Sequence, residues 1–530
     1  MKTFKTALLL ITLLFSSHFC KNLKTFAEDD SIIISTSFED DDFSMFSPRG
    51  DDDTSVLVIK EKGKTGDKCL AVTERSESWN GAQYDLEKTC TPGDQYLVSA
   101  ALRTEWYCNI CLSMQYTDDS GEDHYNNLKC MVSQGEWVEI KEFKFSMPVG
   151  CSNVYLYFEN TGGNNDFFID DFELKKAPEG SIEEDITSLK DAFKKHFKMG
   201  TATTVAEISP KTTQKLIIKH FNSLTAGNEL KPDALLDRTA TLAEAEETGD
   251  YTNPLVKVGG AGPILNFAAE NDIPVRGHTL VWHSQTPIWF FKEKFDESGD
   301  WVDKETMLKR MENYIKNVFD AVKKTYPKVN FYAWDVVNEA WQDDGTPRRG
   351  GSDPNSGNSP WVQIFKDNSF IKYAFQFARK YGIEGCKLYY NDYNEYMPQK
   401  TEAIIKMVKE LNEEEQLIDG IGLQSHLDVS FPGISAYEKA VKSFSEVGLD
   451  LQVTELDVTT SDKSDSSFAT QADYYGNIMK VLVKYSKSIS AVVFWGTTDD
   501  QSWRASKYPL LFNEDYTAKK CFYSIVESVE

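Results

Sequence analysis

Two glutamates stand where apolar runs end: Glu339 closes Trp334-Asp-Val-Val-Asn-Glu339, and Glu455 lies in Val453-Thr-Glu-Leu-Asp457. Two carboxyls facing each other across a cleft can perform acid/base or nucleophilic chemistry, provided one is protonated while the other is ionised. The ends of other apolar runs carry Asn228 and Lys231, then His278, Trp282, His283 and Gln285. Further ends carry Asn338, Tyr393, Gln424, His426, Asp457, Trp495 and, soon after, Trp503. Amides, imidazoles and an ammonium among indoles outline a sugar site. Each residue alone has a plainer reading: a strand-ending Glu is usually an ion-paired surface group, a lone His a structural one, and a Trp on a strand core. The case rests on their convergence at one rim. His278 and His283 lack the i, i+4 pairing of a helical metal site and have no third ligand, so no catalytic metal and no required cofactor are expected.

The elements that must position these residues can be read from periodicity. From about residue 182 onward, apolar runs alternate with amphipathic helices such as 304–325 and 400–411, the pattern of a parallel sheet covered by helices. Eight strands are expected at 198–203, 223–228, 274–282, 330–338, 387–391, 420–425, 450–454 and 491–496. Eight β/α units in a span of this length predict an α/β TIM (β/α)8 barrel over 185–530, whose reacting groups sit at the C-terminal ends of its strands. Residues 342–360, dense in Gly, Pro, Asp and Ser, read as a loop inserted after the fourth strand.

The segment before it has a different texture. Short alternating runs at 31–37, 95–102, 110–116, 137–145, 153–159 and 167–174, parted by Gly, Asp and Asn turns, predict a β-sandwich of jelly-roll type over 28–176. A short linker, 177–184, joins it to the barrel. At the N-terminus, Lys2 and Lys5 precede the apolar run 7–15, and Thr25-Phe26-Ala27 offers a cleavage site, so 1–27 reads as a signal peptide and the protein as secreted and extracellular. The apolar run is too short to span a membrane, and Phe19 is bulky for a lipidated Cys20. Six of the nine cysteines fall between Cys69 and Cys151, where export permits disulfides whose pairing the sequence leaves open. Cys108 and Cys111 form a CxxC without a second one, which favours structural cysteines over zinc.

Composition limits the partners. Lys and Arg total 57 against 83 Asp and Glu, a formal charge of −26, which disfavours nucleic acid and anionic membrane surfaces. A neutral ligand fits better. No docking module is recognised, and a monomer is expected.

Residues from about 185 to 528 resemble family-10 glycoside hydrolases, which are mostly endo-β-1,4-xylanases. The resemblance is carried by Gly227-Asn-Glu-Leu-Lys231, Arg276-Gly-His-Thr-Leu-Val-Trp-His-Ser-Gln285, Trp334-Asp-Val-Val-Asn-Glu-Ala340, Tyr390-Asn-Asp-Tyr-Asn394, Gly422-Leu-Gln-Ser-His426, Val453-Thr-Glu-Leu-Asp457 and Phe494-Trp-Gly496. It departs at Gly227, where many relatives carry Glu. It implies a retaining endo-1,4-β-xylanase with Glu339 as acid/base and Glu455 as nucleophile. His426 and Asp457 would keep Glu455 ionised, and Asn338 would bind the sugar 2-hydroxyl. Asn228, Lys231, His278, Trp282, Gln285, Tyr393, Gln424, Trp495 and Trp503 would line the subsites. Xylan and xylo-oligosaccharides would be the partners. A β-1,4-glucanase of the same fold is the alternative enzyme; a non-catalytic glycan binder is disfavoured by two intact glutamates.

Residues about 31–176 resemble a family-22 carbohydrate-binding module, through Phe38-Glu39, Ser47-Pro-Arg-Gly50, Arg75-Ser-Glu-Ser-Trp-Asn-Gly81, Gln115-Tyr-Thr-Asp118, Gly135-Glu-Trp137 and Phe168-Ile-Asp-Asp-Phe172. This likeness implies a xylan-binding cleft of Arg49, Trp79, Tyr125, Tyr155 and Glu159. Glu39 and Asp171 would either hold a structural calcium or cap turns.

Overall fold

The computed structural model describes residues 31–50, 56–118, 121–353 and 356–529; the expected signal peptide lies outside them. The first eleven strands are β1 (Ile32–Thr36), β2 (Phe46–Arg49), β3 (Val56–Glu61), β4 (Lys68–Thr73), β5 (Gly81–Asp85), β6 (Gln95–Thr104), β7 (Cys108–Thr117), β8 (Asp123–Ser133), β9 (Val138–Ser146), β10 (Ser152–Asn160) and β11 (Phe167–Lys176). They form two antiparallel sheets, ordered β3-β4-β11-β6-β9 with β1 beside β11, and β2-β5-β10-β7-β8. Alternation along each strand decides what faces inward. Val154, Leu156 and Phe158 of β10 enter a core shared with Phe46, Leu112, Phe167 and Phe172, while Tyr155, Tyr157 and Glu159 point to the other face.

Two of the sandwich strands, β2 and β8, carry little alternation in sequence, for identifiable reasons. β2 contains Pro48, which lacks an N–H and is tolerated because β2 is an edge strand. β8 is the opposite edge and largely exposed, and its first half is mostly polar, so no regular apolar alternation marks it. Cys111 and Cys130 are register partners on β7 and β8 and form a disulfide. Cys108 is a free, buried thiol: three residues from Cys111 on one strand, it points to the opposite face, so this CxxC cannot grip one metal.

The suggested calcium ligands face donors instead. Glu39 Oε1 accepts the N–H groups of Asp67 and Lys68 at 2.9 and 2.7 Å. Asp171 Oδ2 accepts the Thr65 hydroxyl at 2.9 Å and lies 3.4 Å from the Lys64 ammonium. Glu39 thus caps the turn at Asp67 and Lys68, and Asp171 is engaged by the Thr65 and Lys64 side chains.

Eight parallel strands follow and close on themselves. They are β12 (Lys198–Thr203), β13 (Leu224–Ala226), β14 (Val275–Trp282), β15 (Phe331–Asn338), β18 (Lys387–Asp392), β19 (Gly420–Leu423), β21 (Asp450–Thr459) and β22 (Ile489–Phe494), with β22 pairing back onto β12. β16 (Arg349–Gly350) and β17 (Asn358–Ser359) pair within the long loop after β15, and β20 (His426–Asp428) adds a short parallel strand beside the extended end of β21. The expected strands are all present; the chief boundary difference is β21, which continues to Thr459 because β20 gives its last residues a partner. The helix Lys304–Thr325 shows how the outer layer forms: Asp303 caps its N-terminus, and Met307, Met311, Tyr314, Ile315, Val318 and Val322 make one buried stripe.

The two units touch directly. Asp94 of the sandwich pairs with Lys176 and with Lys211 of the barrel, Gly93 O accepts the Lys211 N–H, and Glu122 pairs with Lys257. The linker is fastened as well, with Ala177 N donating to Gln95 O and the Thr212 hydroxyl to Gly180 O. Among the described residues, no helix is long and apolar enough to cross a membrane.

Deep in the barrel, Arg276 and Asp335 are fully buried and doubly hydrogen-bonded at 2.6 and 3.2 Å, and Arg276 Nε also donates to Gln452. Asp335 Oδ2 lies 3.0 Å from His278 Nδ1, which ties this pair to the base of the cleft. Arg276→Met would strand the Asp335 charge and should cost about 3–5 kcal/mol in urea unfolding. Adding Asp335→Leu should recover most of the loss; equal instability in the single and double variants would contradict this reading.

Candidate functional site

The strand ends converge on one cavity of about 670 Å³, lined by Asn228, Lys231, His278, Trp282, Gln285, Asn338, Glu339, Tyr393, Gln424, His426, Glu455, Trp495 and Trp503. Asp457 is fully buried behind His426 and does not line it. Glu339 follows β15 directly, and Glu455 lies within β21, three places further round the ring. The backbone at this rim is unusual: Gln285, Glu339, Asn394 and Ser425 all have positive φ, at 43, 57, 49 and 57°. Such residues each cost about 1–2 kcal/mol outside glycine, and three of them, Gln285, Glu339 and Asn394, line the cavity.

The two carboxyls have unlike surroundings. Glu339 accepts the Trp282 indole N–H at 2.9 Å and the Gln424 amide at 3.0 Å, and Arg348 lies 3.8 Å away. Burial pushes its pKa above the usual 4.5, with Asp392 adding repulsion, and these neutral donors and Arg348 only partly oppose the rise. Glu455 accepts the Asn391 amide at 2.8 Å and lies 3.1 Å from His426 Nε2. Burial would raise it too, but the His426 hydrogen bond, the charges of His278 and His426, and Asn391 hold it below 4.5. His426 Nδ1 lies 2.9 Å from Asp457 Oδ2. Burial opposes its protonation, yet Asp457 and Glu455 raise it to about 10, so it stays a cation. Asp457 is held in turn by Arg504 at 2.7 Å and by the Trp503 indole at 2.9 Å.

Amides join the two carboxyls. Asn391 Nδ2 donates to Glu455 Oε1 and to Asn338 Oδ1, and Gln424 Nε2 donates to Asn338 Oδ1 and to Glu339 Oε1. Asn391 Oδ1 accepts the Thr454 hydroxyl at 2.7 Å, and a Cβ on Gly422 would lie 2.3 Å from that oxygen, so residue 422 must be glycine for the bridge to fit. At one end of the cavity the buried Lys231 ammonium donates to Asn228 and Gln285 at 2.9 Å each. Trp282 and Trp495 are half-buried beside His278, and Trp503 is 66% exposed over His426.

Sequence reading missed three supports. Asn391 was seen as a strand end but had no feature marking it as the bridge. Arg348, buried and fastened to the Glu339 carbonyl and the Tyr393 hydroxyl, comes from the Gly/Pro-rich loop. Asp392, paired with the buried Lys400 at 2.8 Å, places a negative charge near Glu339. A lysine at the third position of a helix that follows an Asp-ending strand was the available signal.

On the sandwich, Arg49, Tyr125, Tyr155 and Glu159 share the outer face of β2-β5-β10-β7-β8. Arg49 donates to Gln115 at 2.6 Å and stacks over Tyr157 at 3.8 Å, while Glu159 accepts the Ser113 hydroxyl at 2.6 Å. Tyr157, 2% exposed, supports the guanidinium; the more open Tyr155 and the 57% exposed Tyr125 present ring surface. Trp79, 43% exposed, sits on the β4–β5 loop, which the buried Arg75 fastens through Ser78 O and Asn80 O to Gly163 O and Asn165 O.

An eight-stranded barrel with two amide-bridged carboxyls beneath indoles, preceded by a sandwich with an aromatic face, has the build of a modular glycoside hydrolase. Residues 188–528 match glycosyl hydrolase family 10, and residues 30–166 match a carbohydrate binding domain. The chain belongs to glycosyl hydrolase family 10 and carries an N-terminal carbohydrate-binding module. It is 36% identical over 501 residues to endo-1,4-beta-xylanase Y of Acetivibrio thermocellus, covering 90% of this chain and 45% of that one. It is 44% identical over 337 residues to the bifunctional endo-1,4-beta-xylanase XylA of Ruminococcus flavefaciens, covering 63% of this chain and 33% of the relative. The chain thus spans less than half the length of these relatives. Among solved structures, the CBM22-1–GH10 modules of a Clostridium thermocellum endo-1,4-beta-D-xylanase complexed with xylohexaose match with TM-score 0.62 and 34% identity, covering 94% of this chain and 98% of that one.

The raised pKa of Glu339 has a consequence for stability. The folded state holds this proton more tightly than the unfolded chain, so ionisation lowers stability, with the full cost present above the folded pKa. Glu339→Gln keeps the shape and removes the charge. It should raise the melting temperature near pH 8 by roughly 2–4 °C per kcal/mol relieved, and the gain should vanish on acidification below the usual carboxyl range. A difference independent of pH would contradict the account.

Proposed function

We propose that this protein is a retaining endo-1,4-β-xylanase, exported from the cell, that cuts internal bonds of xylan and holds the polymer through its sandwich module. The observation that carries the reading is the opposed environment of two bridged carboxyls, burial pushing Glu339 above the ordinary carboxyl range and His426, in hydrogen-bond contact, holding Glu455 below it. Protonated Glu339 gives its proton to the glycosidic oxygen as that bond to the anomeric carbon breaks. Glu455 forms the new bond to that carbon from the opposite side, giving a covalent glycosyl-enzyme. Glu339, now a carboxylate, takes a proton from water; the oxygen attacks the anomeric carbon, releases Glu455 and restores the starting state. Asn338 Nδ2 donates one N–H to Glu339 Oε1 at 3.4 Å, and its second N–H suits the sugar 2-hydroxyl, whose hydrogen bond strengthens as oxocarbenium character develops.

Lys231, Asn228, Gln285, His278, Gln424 and Tyr393 supply hydroxyl contacts, and Trp282, Trp495 and Trp503 cover ring faces. The xylan-binding face comprises Trp79, Tyr125 and Tyr155 as stacking surface with Arg49 and Glu159 as hydrogen-bonding groups. None of these steps calls on a cofactor. The relatives named above as xylanases support xylan as the polymer, and the Cys111–Cys130 disulfide supports an oxidising compartment.

The test separates the two glutamates. Glu455→Ala should abolish turnover of xylan and of aryl xylosides alike. Glu339→Ala should lose about 10²–10⁴-fold on xylan yet spare glycosylation by aryl xylosides, whose leaving groups need no proton. Proton NMR should show the β-anomer as first product. Equal losses on both substrates, or an initial α-anomer, would contradict the assignment.

A further inference from the structure

A second cavity, of about 550 Å³, lies between the two units, and it shares two walls, Asn228 and Gln285, with the carboxyl-bearing cleft. Those same amides accept the Lys231 ammonium, so the two cavities border one polar cluster. Its outer wall comes from the β7–β8 hairpin of the sandwich. There the Tyr116 ring stacks on His124 with centroids 4.9 Å apart and planes 20° from parallel. Asp118 holds His124 Nε2 at 2.8 Å, which fixes the stacked pair, and Asn126 stands beside it. The hairpin keeps its position on the barrel through Glu122 and Lys257, and the sandwich through Asp94 and Lys211.

We propose that this inter-unit cavity continues the catalytic cleft as a further binding region for a neutral β-1,4-linked pentose chain, with the sandwich supplying one wall through Tyr116, His124 and Asn126. The inference rests on the xylanase reading above. Three observations support it. The cavity's size falls within the usual range of small-molecule sites, and it adjoins the cleft, sharing Asn228 and Gln285 with it. Its lining combines a stacked aromatic pair with the side-chain amides of Asn126, Asn228 and Gln285, groups suited to ring faces and hydroxyls. Its charge is set by Asp118, Glu122, Glu229 and Asp233 against Lys257, which repels uronate-bearing chains and leaves neutral ones. The sandwich then shapes the cleft for dissolved chains, a role separate from holding polymer on its own aromatic face.

The experiment compares kcat/KM of the full-length protein on undecorated xylo-oligosaccharides of increasing length. Two variants obstruct or weaken the cavity without touching the carboxyls. Gly260→Trp fills it from the barrel side: a Cβ there has only Asp118 Oδ2, at 3.7 Å, within contact range. Asn126→Ala removes one amide from the exposed hairpin and keeps the test valid should the larger residue disturb folding. Wild type should continue to gain with length after the barrel's own cleft is filled. Both variants should lose about five-fold on the longest chains, the worth of one or two hydrogen bonds, and nothing on the shortest. Identical length profiles for wild type and Asn126→Ala, with xylan still hydrolysed, would overturn this inference alone. Failure of the wild type to cut any xylo-oligosaccharide would overturn the xylanase reading with it.

Discussion

Two carboxyl groups in one water-poor barrel mouth cannot both be ionised cheaply, and the rest of the site is arranged around that constraint. Burial penalises each negative charge, and only Glu455 is given a permanent counter-charge in hydrogen-bond contact. That counter-charge is His426, a cation because Asp457 lies on its other nitrogen. Asp457 in turn needs Arg504 and the Trp503 indole, so a residue at the open rim of the cleft is tied through buried groups to the ionisation of Glu455. Glu339 has neutral donors in contact and its cation, Arg348, further off. One fold therefore pushes two neighbouring carboxyls to opposite sides of the ordinary carboxyl pKa.

The amide bridge is the mechanical side of the same arrangement. Asn391 and Gln424 each use both N–H bonds, one on Asn338 and one on a glutamate, so the carboxyls cannot rotate independently. The bridge stands on a barrel floor whose own buried pair, Arg276 and Asp335, reaches up to His278, and His278 contributes to holding Glu455 ionised. Strand ends bent into positive φ at Glu339 and Ser425 are the backbone cost of bringing these groups together, and the closed barrel's buried core absorbs it.

Much of this was legible because a barrel strand carries its information twice: an apolar run marks the strand, and the polar residue that ends it marks the rim. The helix Lys304–Thr325 and strand β12 stand where periodicity placed them, and the strand-end residues meet in one cavity. What was not legible depends on partners distant in sequence. Asn391 becomes a bridge only when strands carrying Asn338 and Glu455 lie beside it. Arg348 belongs to a loop whose composition signals only irregularity. In the sandwich, edge strands β2 and β8 are too exposed for one buried face to impose regular alternation, and Tyr155 and Tyr157 are alike in sequence although only Tyr157 is buried beneath Arg49. The pairing of Cys111 with Cys130 required the β7–β8 register.

The central claim is that environment alone shifts the two glutamate carboxyls in opposite directions before any substrate arrives. Carbon-13 NMR titration of labelled glutamate carboxyls in the free enzyme, assigned with Glu339→Gln and Glu455→Gln, measures this directly. The account predicts that the Glu455 signal titrates below the ordinary 4.5 and the Glu339 signal above it. Titration of both near 4.5, or in the reverse order, would contradict it.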